Sequence, residues 1–272
     1  MKSVAEILSQ VKLGKMSVRK AEAILKLDAL AVIGEIARID YNRFLRRGVP
    51  EIVYAESKSV EQITSIVKHL AKKSSSDSDS SVPVILSKVR PEQVNPVKKI
   101  IRKIPDLEVE YFRNANIIAF WRKDAIVTKR IEGRVALLAA GTSDIPALNE
   151  SEVLLHLLGC ETVRFNDVGV GALHRLAEPL RKVFEFDPDV IVVAAGMEGA
   201  LPSVIAGLSS VPVIGLPISV GHGYGKGGEA ALMSMLQACS LGISVVNIDA
   251  GVAAGIAAWL IAKRASEKRH RS

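Results

Sequence analysis

The sequence predicts an α/β protein whose C-terminal half is a doubly wound, five-stranded parallel sheet. Three observations carry that expectation. Hydrophobic residues make up 49% of the 272-residue chain and aromatics only 4%, so the core is aliphatic, as suits strands buried on both faces. From Val135 onward five apolar runs alternate with helix-length segments: Val135–Ala140, Thr162–Phe165, Val190–Ala194, Val211–Leu216 and Ile243–Ile248. That alternation is the pattern of βα units joined by right-handed crossovers. Polar or glycine-rich turns follow these strands, where open parallel sheets bind ligands.

A chain of this length accommodates two domains, since single domains cluster at roughly 100–150 residues. Residues 1–130 read as a smaller N-terminal α+β domain and 131–272 as the larger one, with the boundary near Lys129–Arg134. Val4–Val11 and Ser17–Leu27 carry apolar residues at helical spacing, with Ser17 placed as an N-cap. If Leu30–Arg47 is helical, Asp40, Arg43 and Arg47 share one face, either as functional groups or as an intrahelical salt-bridge set. The tract Ser74–Ser81 (SSSDSDSS) has nothing to bury and is expected to be a flexible surface loop. Strand-like patterns resume at Pro83–Leu86 and Glu108–Tyr111, around an amphipathic Glu92–Lys103.

The net charge of +7 is unevenly spread: residues 1–130 hold 25 Lys+Arg against 15 Asp+Glu, and the remainder 11 against 14. A basic half suits nucleic acid, an acidic partner or a small anionic ligand, or is plain solvated surface. No aromatic-rich RNA-binding strand motif occurs, so no nucleic acid partner is expected. The most apolar tract, Gly242–Ala262, contains Asp249 and many Gly and Ala. It reads as a buried strand and helix, not a membrane span. With two cysteines, Cys160 and Cys239, and no signal peptide, a reducing cytoplasm is expected.

The strand-end motifs hold the candidate chemistry. After the first strand come Gly141, Thr142, Ser143 and Asp144, a turn whose free N–H groups favour an anion. Asp144 either caps the following helix or accepts hydrogen bonds from a ribose. The second strand ends near Asp167, with His174 and Arg175 in the first turns of the next helix. Histidine exchanges protons near neutral pH and arginine holds phosphate in two-point contact, although a lone histidine is often structural. Gly196, Met197 and Glu198 follow the third strand. A carboxylate between glycines there needs a partner or water, which makes Glu198 an acid/base or ribose-binding candidate. The fourth leads into a glycine loop holding Gly221, His222 and Lys226, able to cradle a ligand or to move as a lid. Cys239 falls toward the end of a helix predicted from Gly228 to Leu241. The helix dipole disfavours a thiolate there, so the pattern alone predicts a buried, inert thiol.

The segments GTSD, His174-Arg175, AAGMEGALPSV and PVIGLP resemble the class I aminoimidazole ribonucleotide carboxylase/mutase domain of purine synthesis, a flavodoxin-like fold. A closer likeness is to the pyridinium-3,5-biscarboxylic acid mononucleotide synthases of nickel-pincer cofactor synthesis. It rests on Asp40-x-x-Arg43-x-x-Arg46-Arg47-Gly48-x-Pro50-Glu51 leading to Lys58, on Glu198 in GMEGALP, and on Cys239 before GISVVNID. The loop His222–Gly228 departs from the Tyr-Gly-Ala-Ser-Phe-Gly-Gly of bacterial members. Ala250 and Val252 also stand where those members carry Asn and Phe.

The resemblance implies carboxylation of the pyridinium ring of nicotinic acid adenine dinucleotide by CO2 or bicarbonate, followed by release of AMP. Cys239 would be the nucleophile, and Glu198 or His174 would shuttle protons. Gly141–Asp144 and Arg175 would hold phosphate and ribose, with Arg43, Arg46 and Lys58 closing over the dinucleotide. The resemblance implies no organic cofactor. A magnesium ion is compatible with the hydrolysis, without identified ligands, and a homo-octamer is the implied assembly. The alternative is a carboxylase/mutase acting on an aminoimidazole ribonucleotide.

Overall fold

The structure is a computed structural model that describes residues 4–27, 30–33, 37–40, 49–76, 83–123 and 131–269. The chain divides into two compact units, Met1–Tyr111 with Ile118–Ala125, and Phe112–Ile117 with Ile126–Ser272.

The first unit opens with helices α1 (Val4–Lys12) and α2 (Val18–Leu27). Ser17 caps the second as expected: its Oγ accepts the Lys20 N–H at 3.2 Å. The described residues within Leu30–Arg47, 30–33 and 37–40, are not helical. Instead, β1 (Leu30–Ile33) and β2 (Ala37–Asp40) pair antiparallel, so Asp40 closes a strand. The β-branched Val32, Ile33 and Ile39, with Gly34 interrupting the run, favour extended backbone. Arg43, Arg46 and Arg47 lie outside the described residues.

A four-stranded sheet follows, built from β3 (Ile52–Tyr54), β4 (Val84–Ser87), β5 (Leu107–Phe112) and β6 (Ile117–Arg122) in the order β3-β4-β6-β5. Helices α3 (Val60–Ser76) and α4 (Pro91–Ile101) cover it. Alternate strand residues Val53, Leu86, Ile118 and Phe120 bury themselves with Ile63, Val67, Leu70, Val97 and Ile101. Helix α3 begins with a reciprocal cap, the Ser59 N–H donating to Gln62 Oε1 at 3.0 Å and the Gln62 N–H to Ser59 Oγ at 3.2 Å. Its last turn takes in Ser74, Ser75 and Ser76, so the serine–aspartate tract begins as helix; residues 77–81 lie outside the described residues. Buried Gln93 ties two loops together. Its Nε2 donates to the carbonyls of Ala55 at 2.9 Å and Lys58 at 2.8 Å, while Oε1 accepts the Arg90 N–H at 3.0 Å.

The second unit is the expected five-stranded parallel α/β sheet. Its strands are β7 (Arg134–Ala139), β8 (Glu161–Phe165), β9 (Val190–Ala195), β10 (Val213–Pro217) and β11 (Ile243–Val245). They lie in the order β11-β10-β9-β7-β8, every pair parallel, which is the flavodoxin-like arrangement. Helices α6 (Ala177–Phe186) and α7 (Leu201–Leu208) cover one face, where Leu180, Val183 and Ile205 pack on Ala136, Leu138, Ile191 and Val193. Helices α5 (Ile145–Leu157) and α9 (Gly251–Arg269) pack on each other and on β7 and β9 from the opposite face. Helix α8 (Glu229–Leu236) joins β10 to β11. The final strand is shorter than predicted, although beyond it the Val246 N–H still donates to Gly215 O at 3.0 Å. Among the described residues no helix is long and apolar enough to cross a membrane.

Candidate functional site

Neighbouring strands β7 and β9 send their following helices to opposite faces of the sheet. The loops therefore part at the carboxyl ends of those strands, and a cleft opens between them. This cleft holds about 230 Å³ and is lined from three strand ends: by Ala140, Gly141, Ser143 and Asp144 after β7, by Gly169, Val170, Gly171 and Arg175 after β8, and by Gly196, Met197 and Glu198 after β9.

Asp144 sits at its base with only 3% of its surface exposed. Oδ2 accepts the Gly141 N–H at 2.7 Å within its own turn, and Oδ1 accepts the Gly196 N–H at 3.1 Å from the next strand end. Burial raises its pKa above the ordinary carboxylate value, opposed by the hydrogen bonds from Gly141, Gly196 and Ser143. Asp144 thus does more than cap a helix: it clips two strand ends together. Thr142 belongs to the same 3-10 turn, Thr142–Asp144, but does not line the cleft.

The turn after β9 is closed by the Gly199 N–H donating to Gly196 O at 2.9 Å, with Met197 at a left-handed φ of 52°. This conformation is uncommon for a side chain with a Cβ and marks a constrained turn. It presents Met197 and Glu198 at the mouth, both exposed. A Cβ on Gly196 would come within 2.5 Å of Val220 O, so only glycine lets the following loop pass this close.

His174 and Arg175 lie in a 3-10 segment, Val170–Leu176, and not in the expected α-helix, which begins at Ala177. Arg175 lines the cleft and its Nη1 donates to Asp167 at 2.8 Å. His174 is exposed and outside the lining. His222 and Lys226 are exposed on the 3-10 loop Gly223–Gly228 and its leading residue, beyond the lining. Their loop reaches the rim through backbone: Cβ positions on Gly221 and Gly225 would lie 3.8 Å from Met197 N and 3.3 Å from Met197 O.

Cys239 requires a correction. Helix α8 ends at Leu236, so the cysteine lies in the turn beyond it, and it is exposed, not buried. That turn precedes β11, where the Val213 N–H donates to Gly242 O at 3.0 Å, at the amino edge of the sheet. The cleft lies at the carboxyl edge, and the five residues of β10 at about 3.3 Å each put roughly 15 Å between the two edges. Within one chain Cys239 does not meet Glu198 or the cleft. Lys58 belongs to the first unit, where its Nζ donates to Tyr54 O at 2.7 Å.

The backbone of Gly169–Gly171, which lines the cleft, was not among the predicted site residues. The signal is a glycine soon after a strand end, Gly169 and Gly171 after β8 as Gly141 after β7. Among the described residues no three His, Cys, Asp or Glu side chains gather as a metal site.

Chemically, the cleft combines one guanidinium, the first turn of α7 next to Leu201, and two carboxylates. Arginine and a helix start favour an anion, while carboxylates accept from hydroxyl groups. The set suits a phosphorylated sugar.

Fold and cleft define a flavodoxin-like α/β domain with an open cleft at the switch point of the sheet. Residues 134–271 match the AIR carboxylase family and residues 31–123 the LarB/PurE-like N-terminal domain; the chain belongs to the AIR carboxylase family. An uncharacterized protein of Methanocaldococcus jannaschii is 37% identical over 264 residues, covering 96% of this chain and 98% of that protein. An N5-carboxyaminoimidazole ribonucleotide mutase of the same organism is 27% identical over 125 residues, 46% of this chain and 75% of the mutase. The Pyrococcus horikoshii mutase is 29% identical over 120 residues, 42% of this chain and 64% of its own length.

Proposed function

We propose that the protein carboxylates the pyridinium ring of nicotinic acid adenine dinucleotide at its fifth carbon and cleaves the phosphoanhydride, giving pyridinium-3,5-biscarboxylate mononucleotide and AMP. The observation that carries this reading is the joining of an AIR carboxylase domain to a LarB/PurE-like N-terminal domain in one chain. The two mutase relatives match less than half of it.

A pyridinium ring is electron-poor and none of its carbons attacks carbon dioxide unaided. Addition of a thiolate forms a carbon–sulfur bond and leaves an enamine-like dihydropyridine. Its fifth carbon then bonds to carbon dioxide. A base removes the proton from that carbon, and the returning electron pair restores aromaticity as the thiolate leaves. Glu198, exposed at the mouth, is the proposed base, with His174, next in sequence to the cleft-lining Arg175, as the alternative proton carrier. Arg175 and the Gly141–Asp144 turn hold the phosphate and ribose of the nicotinate half. The cleft is smaller than the roughly 300–1,000 Å³ of pockets that enclose a whole ligand, so it takes part of the dinucleotide only. Because Cys239 lies on the far edge of its own sheet, the thiolate comes from a second copy of the chain, within the homo-octamer.

The test is incubation with the dinucleotide and labelled bicarbonate, followed by mass analysis. Label in a pyridine mononucleotide, together with free AMP, is the expected result; absence of label removes the reading. One observation favours a second reading, a mutase acting on an aminoimidazole ribonucleotide. No thiol lines the cleft, and that substrate, already enamine-like, needs none. Full activity on it in Cys239→Ser would decide for the mutase.

A further inference from the structure

We propose that Asp249 is a positioning residue that sets the cleft from outside it, by fixing the start of the glycine loop 219–228 on which the Met197–Glu198 turn rests. The inference depends on the reading that a nucleotide occupies the cleft.

Asp249 follows β11 at a left-handed φ of 52°. Its N–H donates to Pro217 O at 2.9 Å, and its Oδ1 accepts the Ser219 N–H at 2.9 Å. The two bonds grip the chain on either side of Ile218, whose own N–H donates to Ala195 O at 3.1 Å. Residue 218 is thus the last point at which this segment is held to β9.

Beyond it the loop crosses the turn after β9 in backbone contact. Val220 O faces Gly196 so closely that a Cβ there would lie 2.5 Å away, and a Cβ on Gly225 would stand 3.3 Å from Met197 O. The same Gly196 is held from below by Asp144. The turn that presents Met197 and Glu198 is therefore held between the Asp144 carboxylate and the loop whose start Asp249 anchors. Asp249 does not line the cleft and acts through the loop. The plain alternative is that it serves only helix α9, near whose N-terminus it stands and where a negative charge is favourable.

The test compares Asp249→Ala, Asp249→Asn and Gly225→Ala in the full-length protein, by steady-state kinetics with nicotinic acid adenine dinucleotide and by hydrogen exchange read by mass spectrometry. Asn keeps an acceptor oxygen, Ala removes it, and the Gly225 variant presses on Met197 while leaving Asp249 intact. Asp249→Ala is expected to raise KM roughly tenfold with kcat within about threefold, and to speed exchange in 196–200 and 218–228 but not in β7. Asp249→Asn restores both readouts, and Gly225→Ala reproduces the KM rise.

Wild-type KM and wild-type exchange at 196–200 in Asp249→Ala, even with a lowered melting point, would assign Asp249 to the helix alone and overturn the proposal. Failure of Asn to restore either readout overturns it too. Should Asp249→Ala not fold, unchanged exchange at 196–200 in Gly225→Ala overturns it, and faster exchange there supports it. A wild type without activity on the dinucleotide sinks the functional reading instead, and the exchange comparison still decides the role of Asp249.

Discussion

Asp144 and Gly196 are joined across two strand ends, the carboxylate Oδ1 of one accepting the backbone N–H of the other at 3.1 Å. The bond links the loops after β7 and β9 at the base of the cleft, and burial holds the carboxyl group's pKa above its ordinary value. A group whose folded pKa is raised makes its most favourable contribution when protonated. Stability from Asp144 is thus fully present below its unfolded pKa of about 3.9 and is lost as pH rises through the folded value. Unfolding titrations of wild type and Asp144→Asn should show the wild-type advantage falling across that window and level above it. Asp144→Ala leaves two N–H groups without this acceptor and should cost about 2–4 kcal/mol at neutral pH. A pH-independent difference between wild type and Asp144→Asn would contradict the assignment.

The two cysteines should differ sharply toward alkylating reagents. Cys160 is buried and its pKa is pushed up to about 12, by burial first and by the charge of Asp189 second, so little thiolate forms at pH 8. Cys239 is exposed. Iodoacetamide on the native protein should add one carboxamidomethyl group, located at Cys239 by peptide mapping. Equal labelling of both would show the packing around Cys160 to be looser than described.

If a second copy supplies the thiol, Cys239→Ser and Glu198→Gln should each lose activity alone and regain part of it when unfolded, mixed and refolded together. A mixed assembly holds some sites with an intact Cys239 from one chain and an intact Glu198 from another. Mixed samples as inactive as the single variants would mean that both groups belong to one chain's site or that the thiol route is wrong.

Arg175→Gln should weaken binding of a phosphate-bearing ligand roughly 10–100-fold, the worth of a charged hydrogen bond. It should leave the melting point nearly unchanged, because its pair with Asp167 is exposed and such pairs contribute about 0–1 kcal/mol. Titration calorimetry with AMP and with nicotinate mononucleotide checks the first half and a thermal melt the second.

Helices α5 and α9 meet at Gly251, where a Cβ would lie 2.1 Å from Ala147 O. Gly251→Ala should therefore separate the helices and destabilise the second unit by about 1–3 kcal/mol. An unchanged melting temperature would show that the contact yields at no cost.

The parallel sheet was legible because β7, β9 and β10 are dense apolar runs bounded by turn residues, and burial on both faces demands that composition; the partly exposed β8 carries a weaker signal. The antiparallel pairing of Leu30–Ile33 with Ala37–Asp40 was not legible. Its strands have four residues each, too few for a period of two to stand out against the helical spacing of the charges that follow. Asp144, Glu198 and Arg175 could be found because ligand sites in such sheets collect at the carboxyl ends. The same rule puts Cys239 on the amino edge of its own sheet, since it precedes β11. Asp249 gave no local signal, because its hydrogen bond to Ser219 joins residues thirty positions apart.

The cleft's position between diverging crossovers has an evolutionary corollary. Its three walls are separate peptide segments tied at their base by the bond from Gly196 to Asp144, so the exposed residues at the mouth, Met197 and Glu198, can change at less cost to the scaffold than the residues below them. A substitution confined to one wall would reshape the cleft while leaving the other two in place.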